Sequence, residues 1–278
     1  VRPRALFLVH LNGQICPELP ALRALARTHG MAVVEDACHA IGSTLTLPDG
    51  ERIQAGDCRY SDLTVFSFHP VKTIAMGEGG AVMTNDPERY RKLVLLRGHG
   101  MVRDPEGWEN RELAFSPEGQ PNPWYYEMRQ IGFNYRASDL HCALGLSQLA
   151  KLEKFVRQRA RLVDRYDSLL RPFHPAVRLL GRVAGGVPGW HLYVVFVDFL
   201  SLGLSRARFM ERLKEQGVGS QVHYLPLHQH PYYQRRHGAL DLPGAMAYYA
   251  RCLSLPLYPT LSDGDQERVV DAIRRALR

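Results

Sequence analysis

Four residues early in the chain have the types that carbonyl and acid–base chemistry need: Asp36, His39, Ser67 and Lys72. Asp36 closes the apolar run MAVVED, and His39 follows three residues later in VVEDACHAIGS, Val33 to Ser43. A carboxylate at the end of a buried strand needs a cationic partner, because an isolated buried charge is costly. Lys72 comes just after FSFHP, which contains Ser67, and just before Gly77, Gly79 and Gly80. An ammonium in such a crevice is destabilised by desolvation, and its amine becomes a nucleophile toward carbonyl groups. Plainer readings stay open for each residue alone: a turn cap for Asp36, a core residue for His39, a snorkelling surface lysine for Lys72. The glycines are not a nucleotide phosphate loop, since neither the dinucleotide nor the Walker spacing is present.

Two further groups stand apart from these. In GFNYRASDLHCALGLSQL, Asn134 and Arg136 precede a helix that Ser138 can cap. Helix starts with nearby Asn or Arg suit anions, although an ordinary capped helix explains the same residues. VHYLPLHQHPYY carries His223, His228 and His230. No cysteine pair accompanies them and prolines make the stretch a loop, so structural or substrate contacts are favoured over a metal site. His10, at a strand end in LVHLNGQ, is placed to line the same crevice as Asp36.

The elements that must position these residues follow from periodicity. ALFLVH, MAVVEDA, DLTVFSFH and GGAVMTN read as strands, the first two as buried ones. PELPALRALARTHG between them reads as a helix stopped by Gly30. Strand–helix–strand order implies a parallel sheet with right-handed crossovers, and ligands gather at the carboxyl ends of such strands. DPERYRKLVLLRG is a helix with Asp86 as its N-cap, followed by an irregular region from Gly98 to Tyr135. ASDLHCALGLSQLAKLEKFVRQRARLVDRYDSLL gives two helices, continuous or broken. Beyond Arg171 the texture becomes α+β: strand HLYVVFVDF, helix RARFMERLKEQG, strand SQVHY and a terminal helix capped by Ser262 or Asp263. The boundary is placed near 155, dividing the chain into 1–155 and 156–278.

Composition narrows the class. The 278 residues suffice for one large domain or two ordinary ones, and 45% hydrophobic with 23% charged is typical of soluble globular chains. The longest apolar run, WHLYVVFVDFL, is interrupted by Asp198 and is too short to span a bilayer. No signal peptide is evident at the N-terminus. Five scattered cysteines without a CxxC fit reduced thiols and a cytoplasmic location. The net charge of +7 permits an anionic partner. Acidic residues alternate with basic ones through most helices, however, which favours solvated faces over a nucleic-acid stripe.

Taken together, EDACHAIG, FSFHPVK, GEGGAVMTND and GFNYRASDLHCALGLSQL resemble the DegT/StrS family of sugar-nucleotide aminotransferases. The family pattern is roughly EDxxxxxG, FSFxxxK, GxGGxxxTND and GxNYRxxxxxxAxGxxQL, and the resemblance covers essentially the whole chain. Finer matches, LRGHGM and QVHYLPLHQHPYY among them, look most like the UDP-4-keto-sugar 4-aminotransferases of pseudaminic acid biosynthesis. The resemblance implies the aspartate-aminotransferase-like fold, type I of the pyridoxal-phosphate (PLP) enzymes: an α/β large domain on a mostly parallel sheet, with a smaller α+β C-terminal domain. It implies PLP as cofactor and Lys72 as the lysine that condenses with it. Asp36 would pair with the pyridine nitrogen, His39 would face the ring hydroxyl and Ser67 would bind the phosphate. Asn134 would reach the phosphate in a neighbouring subunit, hence a homodimer with shared sites. His10, His223 and His228 are candidate substrate contacts, and no metal is expected. Glutamate would donate the amino group to a UDP-linked 4-keto-6-deoxy sugar. Other keto-sugar transamination, PLP-dependent sugar dehydration and an inactive scaffold of the same fold remain alternatives. Family members carry a long portion before the stretch matching VRPRALFLVH, and the chain lacks an initiating Met, so the natural protein is expected to begin earlier.

Overall fold

A computed structural model describes residues 2–278. Strand β1 (Ala5–Val9) leads to helix α1 (Leu19–Thr28), which returns the chain to β2 (Ala32–Asp36). Gly30, at φ 62°, makes the turn between them, a conformation glycine adopts without steric cost. Two short strands, β3 (Thr44–Thr46) and β4 (Arg52–Gln54), form a hairpin before β5 (Leu63–Ser67) and β6 (Gly80–Met83). The main sheet has the order β1-β2-β5-β6. β1, β2 and β5 are parallel, with Val9 opposite Asp36 and Asp36 opposite Val65; β6 runs antiparallel, with Ser67 opposite Gly80. The three parallel carboxyl ends therefore lie along one edge of the sheet.

Helix α2 (Pro87–Arg97) starts at Asp86, whose carboxylate accepts from the amides of Glu88 and Arg89 as expected. The following region holds only small elements: β7 (Met101–Val102), α3 (Arg111–Ala114) and β8 (Glu127–Met128). α4 (Asp139–Leu149), capped by Ser138, and α5 (Leu152–Leu170) are separate helices broken at 150–151. The rest comprises β9 (Val177–Leu179), β10 (Gly186–Val187), β11 (Tyr193–Val197), α6 (Arg206–Glu215), α7 (Pro231–His237), α8 (Pro243–Arg251), β12 (Cys252–Leu255) and α9 (Asp263–Ala276). β12, β11 and β9 form a second, antiparallel sheet.

Two apolar cores result. One gathers Ile15, Leu19, Ala37, Leu45, Ile53 and Phe66 around the first sheet. The other joins α5, α6 and α9 to the second sheet through Leu162, Tyr166, Val195, Phe209, Leu253 and Ile273. The chain crosses between them more than once, because β10 pairs back onto β3. No helix among the described residues is long and apolar enough to cross a membrane.

Two expected elements differ from the structure. β1 is an edge strand rather than a buried one, with Phe7 68% and Val9 55% exposed. SQVHY forms only a single bridge, Gln221 to Ser254, because the chain peels away from β12 at His223 and Tyr224.

Candidate active site

Alternation along β2 sends its two terminal carboxylates to opposite faces of the sheet. Glu35 points into the buried face, where His10 Nε2 lies 2.6 Å from its Oε2. The amide of Cys16 donates to His10 Nδ1, so the ring proton sits on Nε2 and is donated to Glu35. Thr64 donates to the other oxygen of Glu35. Burial pushes the Glu35 carboxyl up, but hydrogen bonds from His10, Ser61 and Thr64 outweigh it and leave the group below its ordinary range. His10, expected along the crevice, is fully buried with both ring nitrogens engaged, which makes it a support beneath the site.

Asp36 faces the other way, is half-buried, and accepts a hydrogen bond from the amide of Cys38. That turn carries the chain to His39, which is 7% exposed. His39 Nε2 lies 3.3 Å from the Tyr224 hydroxyl, and its ring rests against His191 with centroids 4.4 Å apart. Among the described residues neither His39 Nδ1 nor His191 Nδ1 has a partner, although both atoms are buried. Burial drives the His39 pKa down to about 4, helped by Lys72 and opposed by Asp36. His39 is therefore neutral at physiological pH.

Lys72 lies in the turn after β5, its amide donating to the His69 carbonyl, and its side chain is half-buried. Among the described residues its ammonium forms no ion pair and no hydrogen bond. Its charge nonetheless acts on groups from three other segments. After burial itself, Lys72 contributes to lowering His39, His191 and His223, and it opposes the rise of the Cys38 thiol. Asp36 acts on both His39 and Cys38, so the amine and the carboxylate converge on one pair of neighbours. Burial and Asp36 push Cys38 up to about 12, which keeps it a thiol. Ser67, at the end of β5, is half-buried, and its hydroxyl oxygen accepts only a long bond from the His69 amide.

The loop after α6 closes the site from the second core. His223 is held by Ser254, with Nδ1 and Oγ 2.7 Å apart, and this sets Tyr224 against His39. Beside Tyr224 a cavity of about 660 Å³ is lined by Val9, Leu11, His228, Tyr233 and Tyr248. His228 is buried, and its Nε2 has no partner among the described residues. Among the described residues no group of three or more His, Cys, Asp or Glu side chains could hold a metal. Asn134 stands apart: it is exposed, bridges Gly98, and has no hydrogen bond to Asp36, His39, Ser67 or Lys72.

Periodicity did not single out His191, Tyr224 or Arg159. His191 enters from the segment before β11, far along the chain, where the sequence reads only as a buried strand. Arg159 of α5 is buried without a carboxylate and donates to the carbonyls of Trp190, His191 and Leu257, which holds the His191 backbone in place. Burial lowers its pKa to about 10, so it remains charged.

An unpaired amine, a carboxylate, a neutral imidazole and a free hydroxyl around one crevice can together condense with an aldehyde, hold a protonated heterocycle and bind a phosphate. The orphaned nitrogens of His39 and His191 show that the crevice is built for a polar guest, and this donor set fits PLP.

The comparisons with known proteins agree with this chemistry. The model of the DegT/DnrJ/EryC1/StrS aminotransferase family matches residues 1–274. The spore coat polysaccharide biosynthesis protein SpsC of Bacillus subtilis is 39% identical over 280 residues, covering 98% of this chain and 66% of its own length. Helicobacter pylori PseC, an aminotransferase of pseudaminic acid biosynthesis, superposes with a TM-score of 0.84 at 27% identity, covering 99% of this chain and 67% of its own. The aminotransferase TlmJ from Streptoalloteichus hindustanus gives 0.81 at 29% identity, over 99% and 66%. The chain thus spans about two thirds of the length of these relatives. It has the fold of the PLP-dependent aminotransferases and belongs to the DegT/DnrJ/EryC1/StrS family of such enzymes.

Proposed function

We propose that the chain works as a PLP-dependent sugar aminotransferase, taking an amino group from glutamate and placing it on a keto sugar carried by a nucleoside diphosphate. The substrate we favour is a UDP-linked 4-keto-6-deoxy sugar, by analogy with PseC and with the stretches LRGHGM and QVHYLPLHQHPYY of this chain. The observation that carries the reading is the half-buried Lys72 ammonium, which forms no ion pair or hydrogen bond among the described residues and follows β5, the strand that pairs in parallel with β2 and its terminal Asp36.

PLP, when bound, supplies an electron sink that stabilises negative charge at the substrate α-carbon. Lys72 Nζ would hold it covalently and would carry the proton to and from the substrate α-carbon. Asp36 would keep the pyridine nitrogen protonated by pairing with it. His39, whose Nε2 lies 3.3 Å from the Tyr224 hydroxyl and whose Nδ1 has no partner among the described residues, would face the ring hydroxyl through Nδ1. The Ser67 hydroxyl would take the phosphate. His223 and His228 would contact the substrate from the loop that closes the crevice, while His10 would act through Glu35.

We further infer a homodimer in which Asn134 serves the partner's site. Its support is α4, next to Asn134, which buries none of its residues despite its leucines. The two cores support a division near residue 155, and five free cysteines are consistent with a cytoplasmic location. The test is spectroscopic. Protein mixed with PLP should gain a visible absorbance that borohydride abolishes and Lys72→Ala never shows. Glutamate and a UDP-4-keto sugar should then yield an aminated sugar by mass. A protein that stays colourless with added PLP would refute the reading.

A further inference from the structure

Arg4, Arg23, Arg27 and Arg89 line an open cleft of about 430 Å³ around Asp62. The cleft lies at the amino ends of the parallel strands: Arg4 precedes β1, Ala32 begins β2 and Asp62 precedes β5. Asp36 and Ser67 end β2 and β5, so the crevice occupies the opposite edge of the sheet. The two edges are roughly 13 Å apart along β2, at about 3.3 Å per residue.

Asp62 cannot serve all four arginines. Its Oδ2 accepts from Arg23 Nη1 at 2.6 Å and from the Val33 amide at 2.7 Å. Its Oδ1 accepts from Arg89 Nη1 at 2.6 Å and from Arg23 Nη2 at 3.3 Å. Arg4 and Arg27 are exposed and, among the described residues, their guanidiniums form no ion pair and no hydrogen bond. Asp86 adds one more carboxylate, 3.5 Å from Arg89. Four guanidiniums thus face two carboxylates, which leaves an excess of two positive charges. The helix dipole accounts for Arg27 in the last turn of α1 but not for Arg4.

The backbone beneath the two free arginines is fixed. The amide of Ala32 donates to the Arg4 carbonyl at 3.0 Å, that of Gly30 to the Arg27 carbonyl at 3.1 Å, and that of Met31 to the Ala26 carbonyl at 2.9 Å. With those amides committed, the guanidinium forks are the donors left at the rim. Such forks match phosphate oxygens. A phosphate group carries about −1.5 to −2 charges near neutral pH, enough to balance the excess.

We propose that this cleft is an anion site for a phosphate group, borne by inorganic phosphate or by a phosphomonoester, with Arg4 and Arg27 as its free donors. An occupied cleft ties the start of β1 to the end of α1, beside the Asp62 cluster that already joins α1, α2 and β2. Phosphate therefore stabilises the fold by binding it and not the unfolded chain. The cleft is separate from the crevice, so its occupancy does not depend on transamination.

The purified chain is titrated calorimetrically with inorganic phosphate and with glycerol 3-phosphate, against chloride at equal ionic strength. Phenylglyoxal labelling of the arginines, mapped by peptide mass with and without phosphate, locates the bound anion. The variants are Arg4→Ala/Arg27→Ala and Arg4→Lys/Arg27→Lys, with Ser67→Ala for the crevice and Arg157→Ala as a distant surface control. Arg23 and Arg89 stay intact because they hold Asp62, and circular dichroism checks that each variant is folded. We expect the alanine double to weaken phosphate at least tenfold and to abolish the rise in melting temperature that phosphate gives the parent. The lysine double recovers part of both, and Ser67→Ala and Arg157→Ala change neither. Phosphate slows labelling of Arg4 and Arg27. Tighter binding of the ion or of the ester supports the site in either case and names its source. Phosphate affinity within twofold of the parent in the alanine double overturns the proposal. So does a parent that phosphate stabilises no more than chloride, which would reduce the effect to general screening. Loss of binding in Ser67→Ala alone, or protection confined to other arginines, also overturns it.

Discussion

His39 shows how burial sets chemistry one residue at a time. Its ring is packed between His191 and Tyr224, and its pKa falls from 6.5 to about 4, first through burial and then through Lys72. In the unfolded chain it takes up a proton below about 6.5. The fold thus binds fewer protons than the unfolded chain between those values, so this contribution to stability is complete above pH 6.5 and declines as pH falls toward 4. The decline amounts to about 3 kcal/mol, from about 1.36 kcal/mol per pKa unit. His39→Gln should flatten this limb in melting curves recorded from pH 7 to pH 4, and a variant that keeps the parent's slope would show that another group causes it. Asp36, His39, Ser67 and Lys72 stood out in the sequence because each lies at or just past the carboxyl end of a strand, β2 or β5. His191 and Arg159 did not, since only tertiary packing brings them to His39. His10 carried a usable signal that spacing alone obscured: consecutive Glu35 and Asp36 on a strand must face opposite ways, so one of them needs a buried donor.

Asp62 does for the elements what His39 does for the site. Sitting just before β5, its carboxylate accepts from Arg23 of α1 at 2.6 Å, from Arg89 of α2 at 2.6 Å and from the amide of Val33 in β2 at 2.7 Å. Burial pushes the Asp62 carboxyl up, but Arg23, the Val33 amide and Arg89 together bring it down to about 2. With a depressed folded value, its contribution is present above about pH 4 and is lost as pH falls through about 2. Asp62→Ala leaves the buried Val33 amide without an acceptor and should cost about 2 kcal/mol in urea unfolding at pH 7. Asp62→Asn keeps an oxygen for that amide and should cost less; equal losses would mean that the charge alone matters. The main strands and long helices were legible from their periodicity. The β3–β4 hairpin was not, because its strands have three residues each, although Pro48, Asp49 and Gly50 between them are a turn signature. α8 was missed because its Pro-Gly start reads as loop, yet proline is well suited to the first turn of a helix.

At the scale of the whole molecule, the unexplained surface is α4 and its approach. Leu140 is 84% exposed, Leu146 69% and Ile131 85%, and Phe133 and Tyr135 beside them are exposed as well. A helix with apolar residues on every side is stable in water when something covers it. Asn134 lies in the same stretch, so whatever covers α4 also approaches the residue proposed to serve a partner's site. A second copy of the chain would satisfy both requirements, burying the leucines and carrying Asn134 toward the partner's Lys72. Apolar surface contributes about 25 cal/mol per Å² on burial, so a charge placed at its centre is enough to break a moderately stable dimer. Leu140→Asp/Leu146→Asp should therefore halve the mass measured by light scattering, whereas Leu200→Asp, at a 91% exposed turn elsewhere, should not. If the sites are shared, the monomeric variant should also bind PLP at least tenfold more weakly while its circular dichroism is unchanged. A parent that is already monomeric at micromolar concentration, or a monomeric variant with full PLP affinity, would separate the apolar face from the chemistry and leave Asn134 without the role proposed for it.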